Sequence, residues 1–239
     1  MISKPRARHE LLEALRDEPG CALCFLATRA ASRYIESILY ESVTDVEIRE
    51  KIRQARGMCN FHSWEMTKGI ESLGVAWIYL DLVHFYQSAL KEARFGRIRP
   101  SWFGKLTGES NASGQPSPVS PLARRLQPER GCSACEIRGI AEQIYIEALV
   151  ESVDTVCPLL RDSAGFCLPH LSQIVDQIDN PGDFDRLRDA QAQPLRRIER
   201  ELSEYIRKHD HRFVHEEVGS EGDSWSRAIE LIAARRGAR

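Results

Sequence analysis

Seven cysteines and seven histidines carry most of the chemistry in this 239-residue chain, and eight of those fourteen residues fall in one phrase stated twice. In the first statement, Cys21 and Cys24 are followed by Tyr34-Ile35-Glu36 and then by Gly57-Met58-Cys59-Asn60-Phe61-His62. In the second, Cys132 and Cys135 are followed by Tyr145-Ile146-Glu147 and then by Gly165-Phe166-Cys167-Leu168-Pro169-His170. The early landmarks repeat at an offset of 111 residues and the late ones at 108, so one three-residue deletion between Tyr-Ile-Glu and the glycine aligns the copies. Cys-x2-Cys joined to Cys-x2-His is ligand spacing, and three thiolates with one imidazole complete the four-coordinate set of a zinc ion. A closed set leaves no position for water, which makes the expected role structural. Assigned copy by copy, Cys21, Cys24, Cys59 and His62 form one site, and Cys132, Cys135, Cys167 and His170 form a second. That gives two zinc ions per chain. Exchange of ligands between the copies satisfies the same spacing. The same donors also suit an iron–sulfur cluster, so a redox protein is the alternative. Haem attachment is poorly supported, because neither Cys-x2-Cys is followed by histidine.

These ligands need elements that aim them. From Leu23, apolar residues at 26, 27, 30, 31, 34, 35, 38 and 39 have helical spacing, and Ile137, Ile140, Ala141, Ile144, Tyr145, Ala148 and Leu149 repeat it. Each Cys-x2-Cys therefore opens a helix. Thr44-Asp45-Val46-Glu47 reads as a capping box starting a second helix that ends at Gly57. In the second copy Pro158 suits a first-turn position and Gly165 closes the helix. Each glycine stands two residues before the third cysteine, where a left-handed conformation turns the chain back. Cysteine and histidine at i and i+3 then share one helical face. A short helix is expected over residues 9–18, stopped by Pro19-Gly20. A long helix is expected over about residues 61–95, with Met66, Ile70, Leu73, Trp77, Leu80, His84 and Gln87 along one stripe and Gly69 and Gly74 marking close packing or weakness. Further helices are expected from Phe184 to about His209, kinked or split at Pro194, and from Trp225 to Ala234 with Trp225, Ile229 and Ile232 facing inward. No segment of useful length has the strand period. The expected fold is all-α, two pseudo-repeated helical units packed as a bundle, divided into 1–96, a flexible polar linker at 97–130, and 131–239.

Other candidates are weaker. Cys157 has no counterpart in the first copy and reads as a small buried residue, with a reactive thiol as the alternative. Glu36 and Glu147 lie in the repeated Tyr-Ile-Glu, and Asp81 and His84 stand at i and i+3. Together they supply at best one carboxylate–imidazole pair of the kind a helical di-metal enzyme uses. His9, His209, His211 and His215 lie in polar contexts. There is no phosphate-binding glycine loop and no nucleophile elbow. A formal net charge of −2 argues against general nucleic-acid binding. The apolar stretch from Gly74 to Tyr86 is too short to span a bilayer, the N-terminus lacks a secretory signal core, and an odd number of cysteines suits a reducing compartment. The expectation is a cytoplasmic, non-enzymatic protein serving as an interaction or regulatory module for a protein partner.

The duplicated Cys-x2-Cys, Tyr-Ile-Glu and Gly-x-Cys-x2-His pattern resembles a bacterial family of unknown function. The ending, Asp210-His211-Arg212-Phe213 followed by Asp223-Ser224-Trp225-Ser226-Arg227-Ala228-Ile229-Glu230, is similar to that family's C-terminal pattern. The resemblance covers most of the chain outside the linker and implies a full-length member whose Cys and His positions are the motif positions. It implies no activity. The chain departs from many relatives in lacking a proline after Cys21 and after Cys132, which removes no ligand.

Overall fold

The computed structural model describes residues 3–69, 72–94, 120–213 and 215–237. Among the described residues the chain is all-α, with no strand. In order, the helices are α1 (Lys4–Asp17), α2 (Ala22–Tyr40), α3 (Val46–Gln54), α4 (Asn60–Glu65), α5 (Ser72–Lys91), α6 (Pro121–Leu126), α7 (Ser133–Val150), α8 (Val153–Asp162), α9 (Leu168–Val175), α10 (Pro181–Lys208) and α11 (Ser224–Ala233). The repeat is visible as α2–α3–α4 against α7–α8–α9, each a long helix, a short one, and a shorter one carrying Cys-x2-His. Local chemistry sets the starts. Asp45 caps α3 by accepting from the Ile48 amide at 2.9 Å, one residue later than the expected capping box. Asn180 caps α10 through the amides of Gly182 and Asp183. Prolines stand in the first turns of α1, α6, α9 and α10, where a missing N–H costs nothing.

The chain divides into two compact units that cut across the repeats. One unit comprises Met1–Arg33 and Glu136–Arg239, the other Tyr34–Cys135. These boundaries fall inside α2 and α7, whereas the expectation from sequence runs along the repeats, at 1–96, 97–130 and 131–239. The reason lies in the apolar residues of α2: Leu23 and Leu26 belong to the core of the first unit, while Ile35, Ile38 and Leu39 belong to that of the second.

In the first unit, Leu11, Leu15, Leu23 and Leu26 pack with Tyr145, Ile146, Leu149, Leu160, Phe166, Ile174 and Leu187. Here α10 is one continuous helix rather than a split one, with Pro194 buried inside it. Pro158 lies within α8, past its first turn. On α11 the inward residues are Ser224 and Leu231, whereas Trp225, Ile229 and Ile232 are exposed, the reverse of the expectation.

In the second unit, Ile35, Ile38, Leu39, Ile52, Met66, Ile78, Leu82 and Ala134 form the core. The expected 61–95 helix is broken: α4 ends at Glu65 and α5 begins at Ser72. The expected stripe is also corrected, because Leu73, Trp77, Leu80, His84 and Gln87 face solvent while Gly74, Ile78, Leu82 and Ala89 are buried; Ile70 lies outside the described residues. Gly74 explains the choice of face. A Cβ there would stand 2.9 Å from the Leu39 carbonyl, so this side of α5 approaches the backbone at the end of α2 closely. The linker expectation at 97–130 is corrected in part, since α6 and the segment after it are ordered; residues 97–119 lie outside the described residues.

Candidate metal centres

Each Cys-x2-Cys sits at the start of a long helix and each Cys-x2-His at the start of a short one. Cys59 and Cys167 are the N-cap residues of α4 and α9, in extended conformation, and His62 and His170 lie one turn on. The turn before each has the expected positive φ, +104° at Gly57 and +85° at Gly165. In the first copy Arg56 is left-handed as well, at φ 57°, and the Gly57 amide donates to the Ile52 carbonyl at 2.9 Å, closing α3. The Arg56 guanidinium then donates to the carbonyls of Arg53 and Arg125, pairs with Glu129, and lies 4.4 Å over the Phe85 ring. It thereby fixes the segment that leads to Cys132. In the second copy Gln191, buried on α10, donates to the Phe166 carbonyl and accepts from the Phe166 amide, both at 2.9 Å. That pair of bonds holds the turn before Cys167 as a strand partner would.

The eight ligand candidates gather in two groups of four, and each group takes half its members from each copy. Cys21 and Cys24 meet Cys167 and His170; Cys59 and His62 meet Cys132 and Cys135. Pairing within a copy is therefore corrected in favour of exchange. Helix length gives the reason. At 1.5 Å per residue, the chain from Cys24 to the end of α2 travels about 24 Å, and α3 returns at most about 14 Å. Because the turn after α3 is compact, with Arg56 and Gly57 both at positive φ, it adds little to that return, and Cys59 and His62 stop short of the start of their own long helix. The same holds for α7 and α8.

In the first group all four residues are buried. Cys24 Sγ is 3.6 Å from Cys167 Sγ, and the His170 Nδ1 is 3.5, 3.4 and 3.1 Å from the sulfurs of Cys21, Cys24 and Cys167. In the second, Cys59 Sγ is 3.7 Å from Cys135 Sγ, and the His62 Nδ1 is 3.3, 3.6 and 3.3 Å from Cys59, Cys132 and Cys135. Only His62 of this group is buried; its three cysteines are half-buried. The donor atoms of each group all lie within 4.8 Å of one another, so each could hold a metal ion. Cys21 also lines a cavity of about 260 Å³ with Gly20, Gly165, Arg197 and Glu230.

The electrostatics are those of groups that want a cation. Hydrogen bonds from Cys167 and Cys21 pull the Cys24 thiol far below its ordinary pKa, while burial drives Cys21 well above it. Burial opposes charge on His170, but Cys167, Cys24 and Glu142 outweigh it and push the imidazole up to about 11. In the second group burial likewise raises Cys132, but His62 and nearby backbone amides bring it down to about 6; Cys135 is pushed up to about 12 by burial and by its Cys59 neighbour. Protons are held where a divalent ion would replace them.

One residue at the site has no place in the ligand pattern. Glu142 on α7 bonds His170 Nε2, the ring nitrogen turned away from the sulfurs, and Arg138 lies 3.9 Å from the same carboxylate oxygen. A carboxylate there fixes the tautomer and raises the basicity of a ligating imidazole. The repeat carried the signal: at the offset of 111, Arg138 and Glu142 stand where the first copy has Ala27 and Ala31. Among the described residues nothing bonds His62 Nε2.

The remaining candidates do not join a cluster. Glu36, Glu147 and His84 are exposed, and Asp81 is paired with Arg53 at 2.7 Å and Arg49 at 3.5 Å. Cys157 is buried in the core of the first unit, and burial raises its pKa, so it is not an activated thiolate. His209 and His211 bond Tyr205 and Asp210.

The fold and these groups define an all-α protein with a duplicated helical motif and two Cys3His clusters. The sequence model of a family described as a family of unknown function (DUF6062) matches residues 8–238, and the chain belongs to that family. It is also similar to a protein of Caldicellulosiruptor sp. (strain Rt8B.4) described as an uncharacterized 23.9 kDa protein in xynA 3'region. The two are 24% identical over 221 residues, 90% of this chain and 96% of that protein. No solved structure matches the chain. Among the described residues no helix is long and apolar enough to cross a membrane.

Proposed function

We propose that each Cys3His cluster binds one zinc ion in a structural role, and that the chain is a non-catalytic interaction or regulatory module of the cytoplasm. The supporting observation is the tightness of the donor sets. Four ligands around one tetrahedral zinc, with bonds of about 2.3 Å to sulfur and 2.0 Å to nitrogen, stand about 3.8 Å apart between sulfurs and about 3.5 Å between sulfur and nitrogen. The sulfur pairs at 3.6 and 3.7 Å and the sulfur–nitrogen contacts of 3.1 to 3.6 Å match a single ion. An iron–sulfur cluster distributes its protein ligands over several irons and holds them farther apart than the 4.8 Å that bounds each group. With three thiolates and an imidazole engaged, no coordination position is left for a substrate, which supports structure over catalysis. Seven free cysteines suit a reducing compartment.

The test is elemental analysis with an absorption spectrum on protein purified without oxygen. Two zinc per chain and no visible bands are expected, and cobalt substitution should give the intense visible bands of a tetrahedral thiolate site. Iron with acid-labile sulfide, in a brown protein, overturns the reading.

A further inference from the structure

Helix α5 is the least charged long helix of the chain. From Ser72 to Leu90 its only charged residue is Asp81, which turns inward to Arg53 and Arg49. An apolar helix of this kind is ordinarily covered on all sides. Yet Leu73 is 69%, Trp77 49%, Leu80 49%, Val83 47% and Leu90 59% exposed. These residues follow one line: Leu73, Trp77, Leu80, His84 and Gln87 alternate at spacings of four and three, the seam of a two-helix coiled coil, with Val83 and Leu90 beside it.

We propose that this face is a homodimer interface, in which α5 of one copy packs along α5 of a second copy. This deepens the interaction-module reading by naming its surface and partner, and it does not depend on which metal the clusters hold. Three arguments favour a second copy. A two-fold interface sets a surface against itself, so any charge on it meets its own like. From Leu73 to Leu90 the seam has no Asp, Glu, Lys or Arg and escapes that penalty, and Lys91, the next position, ends the helix beyond the stretch that two antiparallel copies of α5 share. The partner must present apolar residues at helical spacing, which α5 itself does. The area is also sufficient. The exposed apolar side chains offer on the order of 500 Å² per copy, about the largest patch a monomer ordinarily leaves uncovered, and two copies together reach the roughly 1,000 Å² that a specific interface needs. Antiparallel packing, with Trp77 of each copy facing Leu80 of the other and Leu73 facing His84, also opposes the helix dipoles favourably. The polar His84 and Gln87 within an apolar seam would set the register.

The test is sedimentation equilibrium of the metal-loaded full chain at about 50 μM, for wild type, Leu80→Glu, Trp77→Glu and Val46→Glu, with metal content read on each sample. Val46 is 80% exposed at the start of α3, so its variant adds the same charge to the same unit away from the seam. The expected result is a dimer for wild type and Val46→Glu and a monomer for both seam variants, with the dissociation constant raised at least a hundredfold and the metal content unchanged. A monomeric wild type overturns the proposal, as does a dimer that survives both seam variants or a foreign protein recovered on the face in place of a second copy. Unchanged metal content in those cases leaves the metal reading standing, and missing metal with an intact dimer does the reverse.

Discussion

Glu142 makes the two clusters chemically unequal. His170 is held from both sides, by thiol sulfur at Nδ1 and by a carboxylate at Nε2, in a group whose four ligands are all buried. Among the described residues His62 has no such carboxylate, and its three cysteines are half-buried. A chelator should therefore strip the Cys59–His62–Cys132–Cys135 cluster first, in two resolved phases followed with a metal-sensitive dye. Glu142→Gln should weaken the slow phase about ten- to a hundredfold and leave the fast phase unchanged. Away from the clusters, the buried Tyr145 hydroxyl donates to Glu10, which also receives Arg29 at 2.8 Å. Burial, then Glu10, pushes the Tyr145 pKa up to about 12. The folded state thus favours the neutral phenol, and its stabilisation is complete below the unfolded pKa of about 10 and lost as pH rises towards 12. Tyr145→Phe should cost about 1–2 kcal/mol at pH 8, and the gap from wild type in denaturant midpoint should close as pH passes through that window.

At the scale of elements, two glycine turns set where the later ligands stand, and they tolerate change differently. A Cβ on Gly165 would meet Pro194 at 2.9 Å and the Gln191 amide nitrogen at 3.0 Å, whereas one on Gly57 would meet only the flexible end of Leu82 at 3.3 Å. Both replacements must also hold a positive φ, which costs about 1–2 kcal/mol for a residue with a side chain. Gly165→Ala should accordingly destabilise by about 3 kcal/mol and displace Gln191 from Phe166, while Gly57→Ala stays near the conformational cost alone; thermal unfolding of both variants reads the difference. These turns were legible from sequence, as were the helical class and the eight ligand candidates, because ligand spacing and a glycine past a helix end are local signals. The exposed face of α5 was not. A helix that is apolar nearly all round has no weak side for periodicity to find, and the deciding contact is the backbone approach of Gly74 to Leu39, residues far apart in sequence. On α11 the same reasoning chose the bulky Trp225, Ile229 and Ile232, where the structure buries Ser224 and Leu231. Size marks a residue that can be buried and does not say which of two apolar faces is.

For the whole molecule, the exchange of ligand candidates converts a duplication in sequence into two groups that each draw half their members from each copy. The lengths of α2 and α3 agree with it, since a nine-residue helix by itself retraces only part of a nineteen-residue one, but residue spacing along the chain conceals distance in space until rises are counted. On the zinc proposal the energetic consequence would be large. A structural zinc supplies on the order of 10 kcal/mol to folding, comparable with the whole net stability of a domain, so losing any one ligand of a cluster should release the ion proposed for that cluster. Cys21→Ser and Cys167→Ser, 146 positions apart, should then remove the same single metal, and the double variant should lose no more than either alone. Cys21→Ser with Cys59→Ser, both from the first copy, should lose two. Alkylation mapped by mass spectrometry distinguishes the centres directly. In Cys21→Ser, Cys24 and Cys167 should become reactive while Cys59, Cys132 and Cys135 stay protected; reactivity at Cys24 and Cys59 together, with Cys167 protected, would show that each copy closes its own site.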